Sequence, residues 1–269
     1  MKKIIFQLLV LLVLFFGLWT GLSRIDFSGR MRIEEFTREQ EARLGTMIWD
    51  LISRNDPVLE SDSLELIIEK LKERICLSND IDPGSIRISI IGKEEVNAFA
   101  LPDRRVAIYS GLVGFCNTPG ELAGVIAHEI AHIEKGHIMR KLRKEVGLAV
   151  LAGMVGGTVS TDIMKETLKV LSSTAYDRSM EREADMLAVS YLSNAEIDPV
   201  HLANFLFRIS REGARLPREF YWISTHPEAS ERAGEILGII SGHEVAEEAL
   251  LDDEEWESFK SATTAFPGS

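Results

Sequence analysis

His128-Glu129-Ile130-Ala131-His132 sets two imidazoles four residues apart, with a carboxylate directly behind the first. Residues four apart on an α-helix share a face, so both rings can reach one ion while Glu129 addresses the water beside it. This is the HExxH arrangement of a catalytic zinc helix. Its surroundings read as helical. Thr118-Pro119-Gly120-Glu121 offers Thr at an N-cap, Pro at the first helical position and Glu three residues beyond the cap, as in a capping box. Leu122, Val125, Ile126, Ile130 and Ile133 supply the apolar contacts that would bury the helix and hold its histidines. One zinc ion per chain is expected, on His128 and His132, with Glu129 as general base.

A catalytic zinc takes three protein ligands and keeps a position open. A longer histidine pattern would need Gly at 135 and His at 138, where the chain has Lys135 and Ile138, so His137 is not expected to ligate. Downstream, Glu181-Arg182-Glu183-Ala184-Asp185 falls in a helical pattern whose apolar stripe is Met180, Ala184, Leu187 and Tyr191. Glu181 and Asp185 share a face beside that stripe. Glu181 is a candidate third ligand, and Asp185, one turn on, could accept the second N–H of a ligating histidine. Alone, such a run reads as a solvated helix face, and only the upstream HExxH gives it meaning. Glu183 is expected to point elsewhere, about 200 degrees around the helix from Glu181.

Four stretches carry a resemblance: Asn97-Ala98-Phe99-Ala100-Leu101-Pro102, His128 to His132, Glu181 to Asp185, and Ser224-Thr225-His226-Pro227 with Arg232. Together they resemble the membrane-associated gluzincin zinc metallopeptidases of metallopeptidase family forty-eight, the group of the CAAX prenyl proteases, HtpX and BepA-like proteins. The resemblance implies His128, His132 and Glu181 as ligands, Glu129 as the base, and Asp185 and Arg232 behind them. It places His226 near the metal, either stabilising an oxyanion or occupying the open coordination position; Arg232 is the other candidate donor to the oxyanion. Read on its own, His226 is a turn histidine before proline. The resemblance also implies that an edge strand at Asn97, Ala98, Phe99 and Ala100 pairs with an extended substrate, whereas Phe99 alone reads as core. Family members commonly follow this strand with a Gly-Gly turn. Here Asp103-Arg104-Arg105 stands in its place, and the turn geometry is open.

The fold class expected is α+β, mostly α-helical: a zincin-like metalloprotease domain with a small sheet. Helices are predicted from Thr37 to Ile52 and from Leu64 to Ile75, and strands at Arg87-Ile88-Ser89-Ile90-Ile91 and Val106-Ala107-Ile108-Tyr109, with turn-forming Pro83-Gly84 and Gly111 at their outer ends. The apolar glycine-rich run from Val146 to Gly157 is too short to span a bilayer and reads as a buried helix or as a mobile or membrane-contacting lid.

Met1-Lys2-Lys3 precedes an apolar run from Ile4 to Leu22, about the 20 residues a membrane helix needs. Residues 1–23 are therefore expected to be an anchor or signal segment, residues 24–242 the zinc domain, and residues 243–269 an acidic helix and tail. Lys2 and Lys3 favour a cytoplasmic N-terminus, a single-pass inner-membrane anchor through residues 4–22 and a periplasmic catalytic domain; signal cleavage to a secreted or periplasmic form is the alternative. The tail is expected to dock through Leu250, Leu251, Trp256 and Phe259 and to fray after Ser261. With 42 acidic against 30 basic residues, the net charge of −12 argues against nucleic acid as a partner. Cys76 and Cys116 permit one disulfide or two buried thiols, and no internal repeat is visible.

The activity expected is zinc-dependent endopeptidase cleavage of unfolded or extended proteins, misfolded or envelope-associated. Two alternatives remain: a chaperone-like envelope assembly factor with a latent, His-gated zinc site, and a purely structural zinc closed by His226.

Overall fold

The computed structural model describes residues 37–213, 221–242 and 249–264. The expected anchor of residues 4–22 lies outside them, and no helix among the described residues is long and apolar enough to cross a membrane.

The chain runs α1 (Arg38–Asn55), β1 (Val58–Leu59), α2 (Asp62–Leu77), a 3-10 turn (Pro83–Ser85), β2 (Arg87–Ile91), β3 (Ala98–Leu101), β4 (Arg105–Tyr109) and α3 (Ser110–Phe115). There follow α4 (Pro119–Glu134), α5 (His137–Glu145), α6 (Leu148–Val155), α7 (Thr161–Ser173), α8 (Arg178–Asn194), α9 (Val200–Gly213), α10 (Tyr221–Thr225), α11 (Ala229–Ile240) and α12 (Asp253–Thr264). This is a mostly helical α+β arrangement with one four-stranded sheet of order β1-β2-β4-β3.

The HExxH stretch lies in α4, and the start of that helix explains its place. Thr118 accepts the Glu121 N–H at 3.2 Å, while the Glu121 carboxylate reaches back to the Asn117 N–H at 2.7 Å. The carboxylate thus serves the residue before the cap, one position earlier than a capping box has it. Every residue from Gly120 to Ile133 is buried, because α2, α8, α9 and β3 all pack on this helix. Two glycines admit α9: a Cβ on Gly120 would lie 2.4 Å from the His201 ring, and one on Gly124 3.0 Å from Leu202 Cβ.

The predicted strands are β2 and the body of β4, which run parallel with Ile88 opposite Val106 and Ile91 opposite Tyr109. β3 pairs antiparallel with β4 and forms the sheet edge beside α4. Two-residue β1 on the other edge is too short to show a sequence pattern. In the turn between β3 and β4, Asp103 and Arg104 both adopt left-handed backbone, φ 67° and 54°. That conformation is costly for a side chain, and here side chains hold it. Arg87 donates to the Asp103 carbonyl at 3.1 Å and to its carboxylate, and Arg104 pairs with Glu134 at the end of α4.

Several expectations are sharpened. Cys76 and Cys116 are both free and buried. The glycine-rich run forms α6, in which only Leu151 and Met154 are buried, so it is not a buried helix. The C-terminal helix does not fray after Ser261 but continues to Thr264, because Thr263 is fully buried along with Leu250, Leu251, Trp256 and Phe259. α12 packs on α2 and α3, and Trp256 Nε1 donates to the Asn117 carbonyl at 3.2 Å, bracing the entry to α4.

Candidate metal centre and active site

α4 turns His128 and His132 toward α8, which packs alongside and presents Glu181 one turn before Asp185. His128 Nε2 and His132 Nε2 are 3.0 Å apart. Glu181 closes the triangle, with Oε2 3.7 Å from His128 Nε2 and Oε1 3.4 Å from His132 Nε2. Donors around a tetrahedral zinc at its usual bond lengths stand about 3.3 Å apart, so these separations match the edges of such a site. The chemistry of the set, imidazole nitrogens and a carboxylate, is also that of zinc.

His226 joins the cluster. Its Nδ1 lies 3.2 Å from His128 Nε2 and 3.0 Å from Glu181 Oε1, so His128, His132, Glu181 and His226 form one buried four-donor group able to hold a metal ion. Local structure delivers it there. The His226 N–H is bonded to the Trp222 carbonyl at 2.8 Å, the Trp222 N–H to the Val96 carbonyl at 3.1 Å, and the Tyr176 N–H to the Thr225 carbonyl at 2.9 Å. The Trp222 ring stacks on His226 at 4.5 Å, and the Tyr176 ring covers His132 at 4.1 Å.

Glu129 is fully buried, and neither of its oxygens has a hydrogen-bond partner; His226 Nε2, 3.3 Å from Oε1, has none either. Orphaned polar atoms of this kind are rare inside proteins and mark a place for an ion or its water. The residues therefore fit a zinc site. Burial, with Glu181 beside it, holds the Glu129 carboxyl well above the usual range. Burial also drives His132 to about 3 and His226 to about 4 and lowers His128, so all three rings are neutral with lone pairs available. Burial pushes Glu181 upward, but His226, charged only at low pH, and the permanently charged Arg232 more than reverse this and hold it well below the usual value, ionised as a ligand must be.

Behind the donors, His128 Nδ1 faces Asp185 Oδ1 at 3.1 Å, and Arg232 donates to both Asp185 oxygens at 2.6 Å while its third nitrogen lies against Glu181. β3 packs on α4, and Asn97, Ala98, Phe99 and Ala100, expected to pair with a substrate strand, are 0–1% exposed. α7 packs against β3, and the Asn97 amide donates to the Ser172 carbonyl at 3.1 Å. Sequence reasoning missed Tyr176 and Trp222, which no local pattern marks, and considered His137 only as a ligand.

The sequence profile of Peptidase family M48 matches residues 60–240, about two thirds of the chain. The chain belongs to peptidase family M48. It is similar to the mitochondrial metalloendopeptidase OMA1 of Arabidopsis thaliana, 24% identical over 217 residues, covering 81% of this chain and 43% of that one. It is similar also to the beta-barrel assembly-enhancing protease of Yersinia pestis, 24% over 201 residues, covering 70% and 41%. With the metalloprotease LoiP of Escherichia coli it shares 27% over 168 residues, covering 60% and 65%. The chain thus spans less than half the length of the first two relatives. The M48 match takes in β3, α4, α8, His226 and Arg232, the whole of the buried donor group and its supports.

Proposed function

We propose that this M48 chain is a zinc metalloendopeptidase that hydrolyses peptide bonds of unfolded or extended proteins. The observation that carries it is the unpartnered, buried Glu129 carboxylate beside a four-donor zinc group. Zinc held there supplies a Lewis acid that acidifies water and polarises a peptide carbonyl. His128, His132 and Glu181 would hold it. Glu129, its affinity for a proton raised by burial, takes the proton of the attacking water on a carboxylate oxygen and delivers it to the departing amine. Arg232 is committed to Asp185 and Glu181, which makes it a positioning residue and leaves His226 as the donor for the oxyanion.

As it stands the site is closed: His128, Glu129, His132 and His226 are all 0% exposed. His226 sits where a fourth ligand would, so turnover requires it to leave the donor group. In the same motion α7, on which α10 packs, frees β3 to pair with an extended substrate strand through Asn97 to Ala100. Residues 1–23 anchor the chain by the run at 4–22 or serve as a cleaved signal, residues 24–242 act outside the cytoplasm, residues 243–269 are an acidic C-terminal extension, and the substrates are misfolded or envelope proteins. The names of the relatives, a mitochondrial endopeptidase and a beta-barrel assembly protease among them, support that setting and weigh against a purely binding role.

The test uses the full chain in detergent, with zinc content and cleavage of an unfolded model protein measured on one sample. One zinc per chain and cleavage lost in Glu129→Gln are expected. Absence of zinc, or full cleavage by the variant, overturns the assignment.

A further inference from the structure

His132 presents a different nitrogen to each side. Nε2 faces the donor group, 3.4 Å from Glu181 Oε1, and Nδ1 faces away, 2.9 Å from Nδ1 of His137. His137 is fully buried at the start of α5. Gly136, in left-handed conformation at φ 64°, makes the tight turn from α4 that brings His137 back against His132. On its far side, His137 Nε2 lies 3.3 Å from Glu183 Oε2. Glu183 stands 43% exposed on the outer face of α8, its other oxygen 3.1 Å from Lys135 Nζ.

The proton positions follow from this geometry. A histidine that gives the Nε2 lone pair to a metal carries its proton on Nδ1 and needs an acceptor there. His137 Nδ1 is that acceptor. A neutral imidazole accepting at Nδ1 holds its own proton on Nε2, and Nε2–H then donates to the Glu183 carboxylate. Each of the two contacts thus has one donor and one acceptor, with no clash between protons. We infer that His137 and Glu183 form a relay that orients His132 and raises its basicity as a zinc ligand, doing in two steps what Asp185 does for His128 in one. The inference rests on the zinc reading above. Neither residue touches the reacting atoms, so both are positioning residues.

The two branches differ in kind. The His128 branch ends in a buried carboxylate clamped by Arg232, whereas the His132 branch ends at the surface in a carboxylate shared with Lys135. The second is therefore open to adjustment from outside the fold.

The experiment is a zinc titration of the full chain in detergent against a chromophoric chelator, with the visible absorption of the cobalt form and the melting of the zinc-free protein as separate readouts. His137→Phe keeps a ring in the space and removes the acceptor; zinc affinity should fall about 10- to 100-fold. Glu183→Ala, at an exposed position, should weaken zinc binding severalfold, shift the cobalt spectrum and leave the melting of the zinc-free chain unchanged. The double variant should bind no more weakly than His137→Phe, because both act through one chain of contacts. Parental zinc affinity in Glu183→Ala, or additive losses in the double variant, would overturn the relay, and Glu183→Ala decides the matter alone if His137→Phe does not fold. A parent chain that binds no zinc would instead overturn the metal assignment on which the relay stands.

Discussion

Arg232 grips Asp185 through two charge-assisted hydrogen bonds of 2.6 Å, deep in the protein where both residues are 5% exposed. α8 carries the carboxylate and α11 the guanidinium, so this pair ties the ligand helix to the helix that follows His226. Burial alone would raise the Asp185 carboxyl; Arg232 reverses that and holds it below its usual value. The ion pair keeps Asp185 ionised and fixed as the acceptor for His128.

Removing Arg232 should therefore be costly even without zinc. Arg232→Leu leaves Asp185 and Glu181 buried without their counter-charge, a change that costs about 3–5 kcal/mol. Chemical denaturation of the zinc-free chain measures it. A loss below about 1 kcal/mol would mean that the pair is solvated in solution and does not position His128.

Glu129→Gln keeps size and burial but cannot take a proton. Zinc binding should stay within about threefold of the parent, while peptide hydrolysis falls about 10²- to 10⁴-fold. His128→Ala should lose both. Cleavage at the parental rate by either variant would remove Glu129 and His128 from the reaction.

Lys141, which is not itself a ligand, offers a pH test. Its ammonium donates to the Thr174 carbonyl at 2.6 Å and sits 4.0 Å above the Tyr176 ring, and burial pushes it down from the usual 10.5 to about 8. Between those values the unfolded chain holds a proton that the native chain has released, so stability from this group rises as pH rises from about 8 to 10.5. Below about 8 the buried charge is a cost. Relative to Lys141→Met, the parent should gain about 3 kcal/mol between pH 7 and 10.5. A stability difference that does not change with pH would show that Lys141 reaches solvent.

Gly111 is the second residue of α3, where its missing side chain admits the loop ahead of β3: a Cβ there would lie 2.0 Å from the Glu94 carbonyl oxygen. Because the obstacle is backbone, Gly111→Ala should destabilise by about 1–3 kcal/mol or more. Gly238, exposed inside α11 with nothing within 4 Å of a Cβ, is the contrasting case. Gly238→Ala should stabilise by up to about 1 kcal/mol. Equal effects of the two substitutions on thermal unfolding would contradict the packing described.

Much of this architecture is legible locally. The apolar spacing and cap around Thr118 announce α4, and short strand-forming runs bounded by turn residues announce β2 and β4, since each signal lies within a few residues. The pairing of Glu181 with Asp185 on one face is equally local. By contrast, the tail helix overran its expected end at Ser261 because Thr263 is buried against distant elements. The turn at Asp103 and Arg104 could not be read either, because the residues that hold it, Arg87 and Glu134, lie on other elements.

The line between sequence and structure runs through the histidines. Helical periodicity by itself set His128 and His132 on one face with Glu129 between them, because a spacing of four residues leaves a helix no other arrangement. Where His226 lies, and what His137 touches, only tertiary packing decided. Trp222 and Tyr176 carry His226 into the donor group from 94 residues beyond His132. The turn at Gly136 folds His137 behind the same ligand and hands it to Glu183 on another helix. Contacts of that kind depend on how helices stack, and helix stacking follows from the whole buried surface rather than from any short run of residues.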